Sequence, residues 1–134
     1  MNIELDLSNS NIIDLTSDLI PNTNATTIIL PSTIENIYQN SFLNCKELQN
    51  IDLSKCINLK YINKYAFSNC KYIKDIDLSK CINLKKINDF SFNECYNLTK
   101  IILPNKNIEI SEYAFENSGL NCMKLNPIIL FNDL

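Results

Sequence analysis

LQNIDLSKCINLKYINKYAFSNCKY (residues 48–72) runs directly into IKDIDLSKCINLKKINDFSFNECYN (residues 73–97). The run IDLSKCINLK begins at Ile51 and again, unchanged, at Ile76, an offset of 25 positions. A fixed period between about 20 and 50 residues marks a solenoid, in which each repeat is one supersecondary unit that buries its apolar face only against its neighbours. The chain is therefore read as a stack of layers.

Aligning outward recovers the other layers. Upstream, Ile28, Leu30, Ile34, Ile37, Phe42, Cys45 and Leu48 match Ile51, Leu53, Leu59, Ile62, Phe67, Cys70 and Ile73; downstream, Ile101, Leu103, Ile110, Phe115 and Leu120 keep the frame. The expected organisation is one domain, 1–134. Residues 1–24 form a degenerate N-terminal cap repeat, with Leu19 where the Phe should be. Repeats follow at 25–47, 48–72, 73–97 and 98–119, and residues 120–134 form an incomplete C-terminal repeat whose strand begins near Met123 and Leu125.

Within a repeat, residues 50–54 alternate apolar and polar with a period of two, as a half-buried strand does. Leu59 and Ile62 follow in an extended segment, and residues 64–70 read as about two turns of helix on the 3.6-residue period. Asn63, Asn88 and Ser111 stand where helix N-caps belong. The expected class is an α/β repeat: a right-handed solenoid with parallel strands on one face and short helices or turns on the other.

The pattern Leu-x-x-Ile-x-Leu…Ile-x-x-x-Ala-Phe-x-x-Cys over residues 48–70, with the Leu-Pro variants at Leu30-Pro31 and Leu103-Pro104, resembles the BspA-like leucine-rich repeat. The resemblance spans about residues 25–120. It implies a curved binding scaffold, frequently a surface-exposed adhesion protein, and no chemistry of its own.

Bulk properties exclude several classes. The net charge of −3 gives no basic stripe for nucleic acid. No segment reaches the roughly 18 apolar residues of a membrane helix, and MNIELDLSNS lacks the basic start and apolar run of a secretory signal; a cytoplasmic location is expected. With no His, the usual general base near neutral pH is missing, and no Gly-rich phosphate loop is present. No enzymatic activity, cofactor or metal is expected. Abundant Asn, Ile and Lys, with no Arg, His or Trp and one Gly, read as nucleotide bias, which makes many Asn residues neutral fillers.

Periodicity also sorts the side chains into ladders. Phe42, Phe67, Phe92 and Phe115 form an inward aromatic ladder. Cys45, Cys70 and Cys95 form a second and Cys56 with Cys81 a third, read as buried thiols rather than zinc ligands or disulfides, with Cys122 standing alone. Tyr65, Phe90 and Tyr113 make an aromatic row at the edge, and Lys55, Lys60, Lys80, Lys85 and Lys86 a solubilising rim. The outward strand columns are the candidate partner-binding site: Asn50, Asp52, Asp75 and Asp77, bordered by Ile29, Ile102 and Lys100. Asp52 and Asp77 fall on adjacent layers and repel, so removing that pair should not weaken the fold. The patch fits another protein bearing a basic segment. The tail Ile128-Ile129-Leu130-Phe131 either caps the last layer or joins a second copy, giving a homodimer through the C-terminal edge and Phe131.

Overall fold

The structure, a computed structural model, describes residues 2–20, 23–121 and 128–131. Eleven short strands follow in order: β1 (Glu4–Asp6), β2 (Asp14–Leu15), β3 (Thr27–Ile29), β4 (Asn36–Ile37), β5 (Asn50–Asp52), β6 (Tyr61–Ile62), β7 (Asp75–Asp77), β8 (Lys86–Ile87), β9 (Lys100–Leu103), β10 (Glu109–Ile110) and β11 (Ile128–Phe131). Odd-numbered strands stack in one column and even-numbered strands in a second, and every pairing is parallel. The period-two pattern dictates this. The central or closing residue turns inward in most strands, as Ile28, Ile76 and Ile101 do in one column and Ile37, Ile62 and Ile87 in the other, all at most 1% exposed, whereas Ile110 of β10 is exposed.

Between the columns runs the aromatic ladder. Phe42, Phe67, Phe92 and Phe115 stack with centroid separations of 4.8, 5.0 and 5.3 Å, close to the spacing of parallel strands. Leu19 is not part of it: Leu19 is 47% exposed and Ile20 is buried. Leu5 pairs with Ile28 across 23 positions, whereas Leu15 pairs with Ile37 across 22. Between its strands the first repeat is thus one residue longer than the second, and that shift brings Ile20 to the level of Phe42.

Of the short helices or turns expected opposite the strands, the described residues hold turns, and the architecture is a parallel-strand β-solenoid. Residues 64–69 form consecutive turns, and the helical content among the described residues is one 3-10 turn, Gly119–Asn121. The backbone explains why. Ala66, Ser68 and Cys70 donate their N–H groups to carbonyls three residues back, Asn63, Tyr65 and Phe67, at 3.1–3.2 Å. Between them, Phe67 and Asn69 donate to Ser91 and Asn93 of the next layer at 2.7 and 2.9 Å. An α-helix would keep every one of these donors inside its own coil. Tyr65 and Asn69 adopt the left-handed conformation, φ 58° and 63°, which lets alternate N–H groups point out of the layer. Asn40, Asn44, Phe90, Glu94 and Asn117 repeat the device.

Asn is structural here rather than filler. Asn58, Asn63, Asn83 and Asn97 each donate a side-chain N–H to a carbonyl of the preceding repeat: Ser32, Ile37, Ile57 and Lys71, at 2.6–3.0 Å. Asn63 and Asn88, expected as helix caps, therefore tie layers together instead. Thiols do the same more weakly. Cys70 and Cys95 donate to Phe42 and Phe67 carbonyls at 3.2 and 3.0 Å, and Cys56 and Cys81 to Pro31 and Leu53 at 3.5 and 3.7 Å. The five described cysteines are free and buried; Cys122 lies outside the described residues.

At the C-terminus the layer beside β9 is filled by β11, with Ile128 opposite Lys100 and Phe131 opposite Leu103. The strand expected at Met123–Leu125 lies outside the described residues. Gly119 donates to the Cys95 carbonyl at 3.1 Å just before this point. Any Cβ there would lie 2.4 Å from the Leu98 carbonyl oxygen, so this position demands glycine.

Candidate functional site: the face of the odd-numbered strands

The strand ends come in two chemical forms, and their difference organises the outer face. Asp6-Leu7-Ser8, Asp52-Leu53-Ser54 and Asp77-Leu78-Ser79 are one form; Ile29-Leu30-Pro31 and Ile102-Leu103-Pro104 are the other. In the first, the Asp carboxylate accepts the N–H of the Ser two residues on, at 2.9 Å in all three cases. The Ser54 hydroxyl adds a 2.6 Å bond to Asp52. In the second form Pro has no N–H to satisfy, so the carboxylate has no task and an Ile takes its place. Asp and Ser, or Ile and Pro, thus form matched sets. Reading the aspartates only as an outward patch misses this, although the Asp-x-Ser spacing is visible in the sequence. The Ser54 hydroxyl, then its N–H, holds Asp52 below the usual carboxylate range, and Ser8 does the same for Asp6.

The matched sets are dealt along the solenoid as Asp6, Ile29, Asp52, Asp77, Ile102. An aspartate faces an isoleucine at every step but one. Pairing puts Asp6 against Ile29, Ile29 against Asp52, and Asp77 against Ile102. Between Asp52 and Asp77 there is no pairing: the column divides into the sheets β1-β3-β5 and β7-β9-β11. Leu30 donates to the Asp52 carbonyl at 3.1 Å and Leu78 to Ile102 at 2.8 Å, but the equivalent bond from Leu53 to Asp77 is not made. The strands still lie side by side, with Cα atoms within 8 Å. At the ~4.8 Å spacing of a closed ladder, two carboxylates would repel by about 1–3 kcal/mol. That repulsion opposes the ladder hydrogen bonds, each worth about 0.5–1.5 kcal/mol net, at the step where two aspartates meet.

The gap opens a recess of about 450 Å³ lined by Thr27, Asn50, Ile51, Asp52, Ser54, Asp77 and Lys80. A second, of about 350 Å³, lies at the other end of the same step, against Gln49, Asn50, Tyr72, Lys74 and Asp75. Ile51 is half-buried, where its equivalents Ile28 and Ile76 are closed off.

Of the residues expected on this face, Asn50, Asp75 and Asp77 are exposed and Ile29, Asp52, Ile102 and Lys100 half-buried. Asn50, Asp52, Asp75 and Asp77 gather around the gap, Ile29 and Ile102 flank it one strand away, and Lys100 is the register partner of Asp75. Among the described residues the ion pairs are Lys60–Glu35 at 2.8 Å and Lys86–Glu109 at 3.2 Å, both on the even-numbered column. Lys100 therefore does not neutralise Asp75 by direct contact. The aromatic row is real: Tyr65, Phe90 and Tyr113 stack at 5.3 and 5.7 Å. No group of three or more metal-ligating side chains occurs among the described residues, and none of their helices is long and apolar enough to cross a membrane.

Comparison with known proteins places this architecture. The model of the BspA type leucine rich repeat region matches in six copies over residues 10–131. No curated protein matches. The crystal structure of a leucine rich cell surface protein from Faecalibacterium prausnitzii A2-165 superposes with a TM-score of 0.79 at 22% identity. The match covers 98% of this chain and 32% of that one, so the chain spans about a third of that protein's length. A leucine rich repeat protein of T. pallidum matches at 16% identity and a TM-score of 0.37, over 81% of this chain and 74% of that one. The aromatic, aliphatic and thiol ladders and the matching repeats agree: the chain belongs to the BspA-type leucine rich repeat family.

Proposed function

We propose that the chain is a non-enzymatic interaction module that docks another protein on the face of the odd-numbered strands. The observation that carries this reading is the recessed step between β5 and β7. There Asp52, Asp75 and Asp77 stand without an ion-pair partner beside Asn50 and the half-buried Ile29 and Ile102. Such a mixed acidic and apolar surface complements a basic segment of a partner, with charge setting encounter and the apolar flanks affinity. Repeat families of this kind use their extended faces for binding. The structurally similar protein is a cell surface protein, which favours surface adhesion over the cytoplasmic location expected from the N-terminal sequence.

The test uses Asp52→Asn with Asp77→Asn. Asn keeps the side-chain oxygen that accepts the Ser54 and Ser79 N–H groups while removing both charges. Reversal to Lys would also remove those acceptors, so Asn is the change that tests whether removing the charged pair leaves the fold intact. The expected result is loss of partner capture at low salt with an unchanged or raised melting temperature. Capture that survives the double change overturns the strand face as the site.

A second reading rests on the sheet ends. β1 and β11 are terminal strands of the odd-numbered column among the described residues, and a terminal parallel strand offers unpaired backbone groups to another chain. On this reading copies join through the C-terminal edge, Phe131 included. Light scattering of the full chain against a 127–134 deletion tests it: dimer converting to monomer or aggregate supports it, and a monomer at all concentrations refutes it.

A further inference from the structure

We infer that the β5–β7 step is a hinge, held open by the stacked charges of Asp52 and Asp77, at which the odd-numbered face opens and closes while the rest of the solenoid stays joined. This inference concerns the free chain and stands whether or not a partner docks there.

Three observations carry it. First, the break is confined to one column. Opposite it, β6 and β8 pair normally, Tyr61 with Lys86 and Ile62 with Ile87, within the five-stranded sheet β2-β4-β6-β8-β10. Phe67 and Phe92 remain stacked at 5.0 Å across the same step. The Phe67 N–H still reaches Ser91, and the Cys95 thiol still reaches Phe67. The two halves therefore share a continuous spine on one side and a gap on the other, which is the geometry of a hinge.

Second, the polar groups on either side of the gap are set to pair. In a parallel ladder the N–H and C=O of one residue point to the same neighbour. The Asp52 carbonyl points to β3, where it accepts from Leu30, and the Lys74 carbonyl to β9, where it accepts from Thr99. Alternation then turns Ile51 and Leu53 toward β7, and Asp75 and Asp77 toward β5. The two layers are the near-identical repeats, so nothing in register or loop length separates this step from the closed ones.

Third, what differs is charge. Three of the other steps of this column place an aspartate against an isoleucine, and the β9–β11 step places Ile102 against Leu130. Lys80 lines the recess but forms no ion pair with either carboxylate.

The experiment is amide hydrogen exchange, resolved by residue, on the intact chain. In the wild type the Leu53 amide is expected to exchange at least about tenfold faster than those of Leu30 and Leu78, its equivalents in closed steps. Asp77→Asn keeps the bond to Ser79 and removes the charge, and should slow Leu53 by about tenfold while leaving Leu30 and Leu78 unchanged. A second variant, Asp77→Ile with Ser79→Pro, installs the other matched set and should do the same. Leu53 protected in the wild type as strongly as Leu30 and Leu78 would overturn the gap. Leu53 exchange left fast in both variants would overturn charge as its cause. Neither result depends on partner capture, so failure of the hinge and failure of the docking face are distinguishable.

Discussion

Glu94→Asn should stabilise this protein, although it deletes a surface charge and touches no apolar contact. Asn44, Asn69, Glu94 and Asn117 occupy one column, each in the left-handed conformation with φ between 59° and 63°. Asn69 donates its side-chain N–H to the Asn44 side-chain oxygen at 2.8 Å, which begins an amide ladder along the solenoid. The next rung should donate to Asn69 in turn. Glu94 stands there, and an ionised carboxylate has no proton to give. The Asn69 side-chain oxygen is accordingly buried without a hydrogen-bond partner.

Leaving such an acceptor unsatisfied costs about 1–3 kcal/mol, and a hydrogen bond made there contributes about 1 kcal/mol net. Asn also tolerates the left-handed backbone better than Glu. The expected gain is about 1–2 kcal/mol, or roughly 3–8 °C in melting temperature for a chain of this size. The assay is urea unfolding at pH 7, comparing midpoints at constant slope, with Glu94→Gln and Glu94→Ala as controls. Gln removes the same charge but carries its amide one methylene too far, so it should gain less than Asn; Ala restores no donor and should gain nothing. Asn no more stable than Gln would show that charge relief acts and the ladder does not.

Phe67→Ala should cost about 3–5 kcal/mol and more than Phe115→Ala, because Phe67 is stacked on both sides and Phe115 is half-buried at the end; equilibrium unfolding of both variants checks the order. The buried thiols set an alkaline limit. Burial pushes Cys56 and Cys95 up to about 12 from 9.0, and raises Cys70 and Cys81 too: in Cys70 its hydrogen bond with Cys45 is the larger cause, in Cys81 burial. Groups whose folded pKa is raised contribute stability that is fully present below the unfolded value near 8.5 and is lost as pH rises toward the folded one. Thermal stability should therefore stay level to about pH 8 and fall between about pH 9 and 12. In native protein at pH 8 Cys56, Cys70, Cys81 and Cys95 should resist alkylation until denaturant is added, whereas the Cys70 thiol lowers the pKa of Cys45 and makes it the most reactive of the five.

How much of this was legible in the sequence follows from what leaves a period. The Phe ladder, the inward Ile and Leu columns and the buried thiols repeat every 23 or 25 residues, so their stacking could be read directly. The helices could not be refuted that way. Residues 64–70 satisfy a helical pattern, and nothing in a Tyr or Phe announces the positive φ found at Tyr65 and Phe90. Leu19 does not hold the Phe position because one extra residue between two strands, relative to the next repeat, is invisible in a degenerate repeat. The Asn rungs were hidden by composition: bias toward Asn and selection for Asn look alike until the donors are seen to reach the preceding layer. The gap was legible in principle. Parallel in-register stacking puts equivalent residues one above another, so Asp52 and Asp77 in consecutive repeats had to meet. Their local work on Ser54 and Ser79, which fixes them in place despite the repulsion, needed the structure.

The central claim is that the odd-numbered strand face receives the partner. Hydrogen exchange of the free chain and of the captured complex tests it most directly. The account predicts slowed exchange around residues 27–30, 50–54 and 75–79, greatest at Leu53, with the turns at residues 40–44, 64–69 and 89–94 unaffected. Slowing confined to those turns, with residues 50–54 unchanged, would contradict it.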